Sequence, residues 1–358
     1  MIHQPRDIDE LQSIVRRKQP LRIRAGGTKG LLSQSSARIG TLDMQAFSGI
    51  VEYQPTEFTI TVGAATPLSM IRDELRGNNQ FLPFDPPLID QGATIGGTIA
   101  AGLSGPGMFR FGTIRDYILQ VRMVDGLGNA VCVGGKVVKN AAGFDVPKLV
   151  VGSLGRLGPI TEVTLKVFPD LECRQTLVLE ATRFEDAFAL QNQLAGSPLG
   201  IEAIDLLPPA KLLVRVCGSA AATNHLVDRI ASICQAASVS WSIAEDNASW
   251  EIMQSWRWHQ ESERLIKIPI SPRVQSKLNE LLSAQHAPRR YSARAMSLGF
   301  AGLRKSQSEC SKRSPMSSGS PRWCSAVNLL AFVSEANEKM PSPHASSKPS
   351  IHTTFSVP

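Results

Sequence analysis

The chain has 358 residues and a formal net charge of +7. That length supports two or three domains with real cores, and no apolar run approaches the roughly 18–20 residues of a membrane span. The basic excess belongs to the end of the chain: residues 291–358 hold 8 Lys/Arg and 3 Asp/Glu, leaving 30 against 28 in residues 1–290. The first 290 residues therefore carry no nucleic-acid footprint. No apolar segment follows Met1–Asp7 as a secretory signal requires, so the expected location is the cytoplasm, with any membrane association arising through a partner. Six scattered cysteines, none in a CxxC pair, offer ligands neither for zinc nor for an iron–sulfur cluster.

In chain order, Asp7 and Glu10 have capping-box spacing ahead of Ile8, Leu11, Ile14 and Val15, which predicts a helix over Pro5–Val15. Leu21–Ile23 reads as a short strand ending in a first glycine cluster, Arg24-Ala25-Gly26-Gly27-Thr28-Lys29-Gly30. A strand and turn are expected over Thr41–Ile50, and an alternating strand over Phe58–Ala64. Thr66 is placed as the cap of a helix carrying Leu68, Ile71 and Leu75 on one face and stopped by Gly77-Asn78. Pro83, Pro86 and Pro87 lead into a second cluster, Gly92 to Gly102. Tyr117–Val124 and Ala130–Val133 form a hairpin around Asp125–Asn129. The third cluster, Gly134 to Val163, mixes glycines with Val, Leu and Ile, which suits short strands and tight turns at a close backbone approach. Ile160–Phe168 alternates as a strand.

Beyond residue 170 the character changes. Thr176–Glu180 and Leu212–Val216 read as strands. A helix opens at the Thr182–Glu185 capping box and another spans Asn224–Ala236. This order predicts a smaller α+β domain with helices on one sheet face. The last 68 residues contain 16 Ser and no sustained period, so they read as a disordered tail.

Successive N–H groups in a glycine turn form an anion nest, and Arg24–Lys29 places a cation at each end of one; a pair of tight turns without a ligand is the alternative. The Rossmann fingerprint and the P-loop are both missing. The ordered set Arg24–Lys29, Ala93–Ala100, Phe111–Asp116, Lys139–Asp145 and Val151–Val163 resembles the FAD-binding domain of the vanillyl-alcohol oxidase/p-cresol methylhydroxylase family, and within it the FAD-binding subunits of bacterial glycolate oxidases. The resemblance covers residues 3–170 well and 171–290 loosely.

That resemblance implies an α+β fold. A two-subdomain FAD-binding domain of the p-cresol methylhydroxylase type would span 1–170, an incomplete α+β cap domain 171–290, and a Ser-rich disordered or aberrant tail 291–358. Nothing after Arg290 matches the family's closing pattern, and the change is abrupt, as expected of a segment read out of frame. By position, Arg24, Ala25, Gly26, Gly27, Thr28 and Lys29 would hold the FAD pyrophosphate. Thr94, Gly96, Gly97, Thr98 and Gly102 would line the flavin and diphosphate, with Arg115 and Asp116 beside the flavin. Lys139, Asn140, Gly143 and Asp145 would fix the site, and Ile160 and Glu162 would bond the cofactor through backbone. Arg115–Asp116 as an exposed pair and Lys139 with Asp145 as a loop salt bridge remain alternatives. The first loop has no histidine for covalent attachment, which implies non-covalent FAD.

The implied function is an FAD-dependent oxidoreductase of CH–OH groups. It would be a subunit of a glycolate (2-hydroxy acid) dehydrogenase complex with a paralogous FAD subunit and an iron–sulfur subunit that accepts the electrons. An FAD-bound assembly subunit and a stand-alone FAD-dependent alcohol oxidoreductase are the alternatives. No catalytic residue is assigned. His225 suits a surface or capping role, His259 lies in an aromatic stretch suited to a docked helix, and Lys267 corresponds to a basic strand residue facing the flavin.

Overall fold

A computed structural model describes residues 1–30, 39–135, 145–257, 263–270, 272–284, 289–292 and 297–304. The chain opens with β1 (Ile2–His3), α1 (Ile8–Arg16), β2 (Leu21–Arg24) and β3 (Gly40–Asp43), a parallel three-stranded sheet in the order β1-β3-β2. Asp7 caps α1 by accepting from Glu10 N at 2.9 Å, and Glu10 accepts from Arg6 N at 2.9 Å. This is the expected box, shifted by one residue. Leu11 and Ile14 bury against Leu42, Met44 and Val124, each worth roughly 1.5–3 kcal/mol.

The second unit runs through β4 (Ile50–Gln54), β5 (Thr59–Gly63), α2 (Leu68–Arg76), β6 (Gln80–Phe81), α3 (Ile95–Ala101), α4 (Met108–Phe111), β7 (Ile118–Val124), β8 (Ala130–Gly134), α5 (Val146–Val150), β9 (Ile160–Lys166) and β10 (Phe168–Pro169). Its five-stranded antiparallel sheet has the order β4-β5-β9-β7-β8, so β9 is central. The helix expected after Thr66 forms, but Thr66 does not cap it. Its buried hydroxyl donates to Gly63 O at 2.6 Å and accepts from Gly49 N at 2.8 Å, and Pro67 holds the cap position instead. The second glycine cluster contains a helix. Ile95–Ala101 is a helix capped by Thr94, with Gly102 left-handed at φ +62 to end it.

The third unit contains β11 (Cys173–Glu180), α6 (Phe184–Ala195), β12 (Ala203–Leu207), β13 (Lys211–Gly218), α7 (Ala220–Ala236), β14 (Ser240–Ile243), α8 (Ala248–Gln254), β15 (Glu263–Ile270), α9 (Pro272–Ala284), β16 (Arg289–Ser292) and β17 (Ser297–Arg304). They build a seven-stranded antiparallel sheet in the order β14-β11-β13-β12-β16-β17-β15. Residues of α6, α7 and α9 share one core with Leu177, Ile204, Leu212, Val214 and Tyr291. The expected one-sided helix layer is present, but α8 lies on the other face, where Trp250 and Met253 pack with Ala203 and Leu213. Thr182 makes no cap for α6. Arg183 stands there, pairing with Asp186 at 3.0 Å. Ser219 starts α7 one turn before the expected Asn224.

Described strands continue past residue 290. Tyr291 is fully buried, and the sheet continues through β17 to Arg304. The physical reason is pairing: β16 completes β12 on one side and β17 on the other. The rest of the expected tail lies outside the described residues.

Candidate functional site

The three glycine clusters converge on α3. The first loop leaves β2 at Arg24, whose carbonyl accepts from Met44 N at 2.8 Å. A Cβ added at Gly26 would sit 2.2 Å from Gly92 O and 3.2 Å from Thr94 Cγ2. Only a glycine lets the first loop lie against the second cluster this closely. At the other end of α3, Gly102 N and Gly152 N both donate to Ile99 O, at 3.0 and 2.9 Å, and Leu154 N donates to Ala100 O at 2.8 Å. A Cβ at Gly102 would lie 3.1 Å from Gly152 Cα. So the first and third clusters meet α3 at its opposite ends.

Solvent reaches this seam along bare backbone. Gly26, Gly27, Gly92 and Gly152 are exposed, and Gly97 and Gly102 are half-buried. Lys29 leans over it: its Nζ lies 3.3 Å from Thr28 Oγ1 and 3.9 Å from where a Gly97 Cβ would stand. Burial alone pushes the Lys29 ammonium down to about 8. Arg24 is exposed, with its guanidinium against Gly27, which holds φ +68. Ala25 packs at the margin of the α1 core.

Other residues named from the sequence have duties within the protein. Gly96 faces the sheet, where a Cβ would come within 2.7 Å of Ala64. Thr98 is fully buried and its hydroxyl donates to Thr94 O at 3.0 Å. Thr94 is buried and accepts from Gly97 N at 3.4 Å. Arg115 and Asp116 are exposed and do not form an ion pair with each other among the described residues. Asp116 accepts from Thr113 N at 2.7 Å and from its hydroxyl at 3.0 Å. Asp145 caps α5 and pairs with Lys148 Nζ at 2.7 Å. Lys148, with help from Arg115, holds its carboxyl below the usual range. Lys139, Asn140 and Gly143 lie outside the described residues. Ile160 is buried at the start of β9, opposite Met123. Glu162 has register partners on both sides, Gly63 and Arg122, and its side chain meets Arg122 Nε at 3.2 Å.

The sequence reading missed a clasp between the second and third units. Asp85 accepts from Arg215 at 2.7 Å, from Gly107 N at 3.1 Å, and from the Gln254 amide. Arg215 also reaches Glu202 at 3.3 Å and stacks 4.9 Å from the Trp250 ring centroid. Burial opposes its charge, but Asp85 and Glu202 more than offset that and raise its pKa. Nearby, Leu88 N donates to Gln254 O at 2.9 Å, and Trp256 is buried in the core of the second unit. Arg290 and Asp205 form a second buried pair at 2.8 Å. Asp85 and Arg215 stand 130 residues apart, so only the prolines after Asp85 hinted at a fixed position there.

Residues 1–134 match the family described as "FAD binding domain". That segment is similar to FAD-binding domains. Glycolate oxidase subunit GlcE of Escherichia coli (strain K12) is 38% identical over 184 residues, covering 50% of this chain and 52% of that protein. Glycolate oxidase subunit GlcD of Bacillus subtilis (strain 168) is 30% identical over 218 residues, covering 59% of this chain and 46% of that protein. The chain thus spans about half the length of the curated relatives it matches. Among solved structures, p-cresol methylhydroxylase with substrate bound aligns with a TM-score of 0.68 at 10% identity, covering 85% of this chain and 74% of that one. This is a likeness of fold, and it agrees with the α+β architecture expected from the sequence.

The residues present suit the cofactor. FAD brings a diphosphate, which takes N–H donors and a cation. The seam offers accessible glycine backbone beside Arg24 and Lys29, and Lys29 has no ion pair among the described residues. Among those residues no cluster of three or more His, Cys, Asp or Glu could hold a metal, and no helix is long and apolar enough to cross a membrane.

Proposed function

We propose that this chain is an FAD-binding subunit of a glycolate (2-hydroxy acid) oxidase or dehydrogenase complex, and that it holds its FAD non-covalently. The observation that carries this reading is the convergence of three glycine clusters on α3, in a chain of which half is 38% identical to the glycolate oxidase subunit GlcE of Escherichia coli. Arg24–Lys29 and Gly97 would hold the diphosphate, with Gly102 and Gly152 keeping the wall bare. When bound, the flavin supplies a two-electron acceptor for a hydride from the hydroxyl-bearing carbon. The polypeptide's share is to bind and orient the cofactor and to exclude water from it. Electrons would leave through a partner with iron–sulfur clusters, because the six cysteines here lack ligand spacing. A paralogous FAD subunit completes the complex.

One observation favours a second reading, in which this subunit supports assembly and its paralogue performs the oxidation. The cap arginines that would suit a substrate carboxylate are already engaged, Arg215 with Asp85 and Glu202, and Arg290 with Asp205. His225 is exposed on α7, as its surface reading expected, and His259 lies outside the described residues.

The test uses the full chain purified alone and with the two partners. Acid precipitation should release all flavin from this subunit, and flavin retained in the pellet sinks the non-covalent assignment. Anaerobic glycolate should bleach the flavin of the complex. If a Gly97→Val subunit without flavin still assembles into a complex of undiminished rate, the assembly reading replaces the oxidoreductase reading.

A further inference from the structure

The first loop contains one cation placed unlike any other. Arg24 is exposed at the end of β2, whereas Lys29 is half-buried with its Nζ on the Gly97 side of the seam. Its one hydrogen bond among the described residues is the 3.3 Å contact with Thr28 Oγ1, which leaves donor capacity for a ligand. Among the described residues, the surrounding elements bring no carboxylate to it. Asp43, on β3, lies across from Arg24 in register and accepts from Gln45 N and Gln4. Asp90, in the turn before Gly92, is engaged by Arg72 at 2.8 Å. The turn after α5 contributes Arg156, which is exposed, and α3 has no titratable side chain. Among the described residues, Lys29 is therefore a cation held part-way out of water without a counter-charge.

Resting on the FAD reading above, we propose that Lys29 is the proton-linked anchor of the cofactor diphosphate: its ammonium supplies the counter-charge under Gly97, and FAD binding takes up one proton there in mildly alkaline solution. The sign follows from linkage. In the flavin-free chain, burial brings the Lys29 pKa down to about 8. An adjacent dianion favours the charged form and raises it. The lysine is then already protonated in both states below about pH 8, and affinity is constant there. Above pH 8 the free chain must first take up a proton, so affinity falls as pH rises. The decline is about tenfold between pH 7 and pH 9, the change expected of one proton whose uptake has its midpoint near pH 8.

The experiment is a titration of flavin-free full-length chain with FAD at pH 7, 8 and 9, read by quenching of flavin fluorescence. Calorimetry at pH 8.5 in two buffers of different ionisation enthalpy counts protons. Wild type should weaken about tenfold from pH 7 to 9 and take up close to one proton. Lys29→Arg keeps a permanent cation, so its affinity should stay flat across the range. Lys29→Met should lose on the order of ten- to a hundredfold at pH 7 and be flat thereafter. Any slope from ionisation of the flavin itself is measured on free FAD and subtracted from all three proteins before they are compared. FAD that binds wild type with no pH slope, or a slope that survives in Lys29→Met, overturns the proposal and leaves the FAD reading standing. A melting curve on each variant separates lost affinity from lost fold. Absence of FAD binding by folded wild type at every pH would overturn both.

Discussion

At Gly26 and Gly97, two glycines of the same seam, the same substitution has opposite consequences for the apo fold. A methyl at Gly26 would meet the Gly92 carbonyl at 2.2 Å, an atom of the backbone that cannot swing aside. At Gly97 the nearest atoms are Thr94 Oγ1 at 3.1 Å and Lys29 Nζ at 3.9 Å, the second at the end of a flexible chain. Gly26→Ala should cost about 1–3 kcal/mol of stability through overpacking. Gly97→Ala, within the first turn of α3, should be neutral or gain up to about 1 kcal/mol from helix propensity. Both should reduce flavin occupancy, Gly26→Ala by shifting the loop and Gly97→Ala by covering bare backbone. Thermal melts of flavin-free protein beside a visible spectrum of loaded protein measure the two effects separately. Equal stabilities for the two variants would show that the first loop does not rest on Gly92.

Among the elements, those built on local signals were legible in the sequence. α1, α2, β9 and the β7–β8 hairpin each show their apolar period and turn residues, and they form close to where those residues put them. α3 was not legible, because a seven-residue stretch with two glycines has poor helix propensity of its own. Its signals were Thr94 before it and Gly102 after it, and it is held by burial of Ile95 and Ile99 in the core of the second unit, with Gly96 close against Ala64. Within the candidate site, the loops were legible as backbone without side chains. Which glycines face the seam and which face the sheet was not, since that depends on strands distant in sequence. The Asp85–Arg215 clasp is the extreme case, a contact with no local signature. Its energetic weight follows from burial: removing one partner of a mostly buried pair costs about 3–5 kcal/mol. Asp85→Ala should therefore lower the melting temperature by several degrees and should loosen the third unit from the second. Limited proteolysis between residues 218 and 260 is the reporter, and an unchanged cleavage rate would mean that the Leu88–Gln254 and Trp256 contacts hold the units together unaided.

For the whole molecule, the last described strand is β17, ending at Arg304. A chain ending at Arg304 should melt cooperatively and keep its flavin. A chain ending at 288 removes Tyr291 from the core and Arg290 from Asp205, and loss of the aromatic alone costs about 3–5 kcal/mol. Calorimetry of the two truncations checks this, and equal stability would show that β16 and β17 add nothing to the sheet. The central position of β9 also sets a timetable. Gly63 at the end of β5 is made 103 residues before Lys166 at the end of β9, a wait of roughly 5–20 s on the ribosome. Throughout that interval the edge of β5 that β9 will cover stays open, and β7 joins it with an open edge once Val124 is made. The strand that closes the gap lies outside the 1–134 segment matched to the FAD-binding family. Closure of this sheet thus waits on the emergence of one late strand.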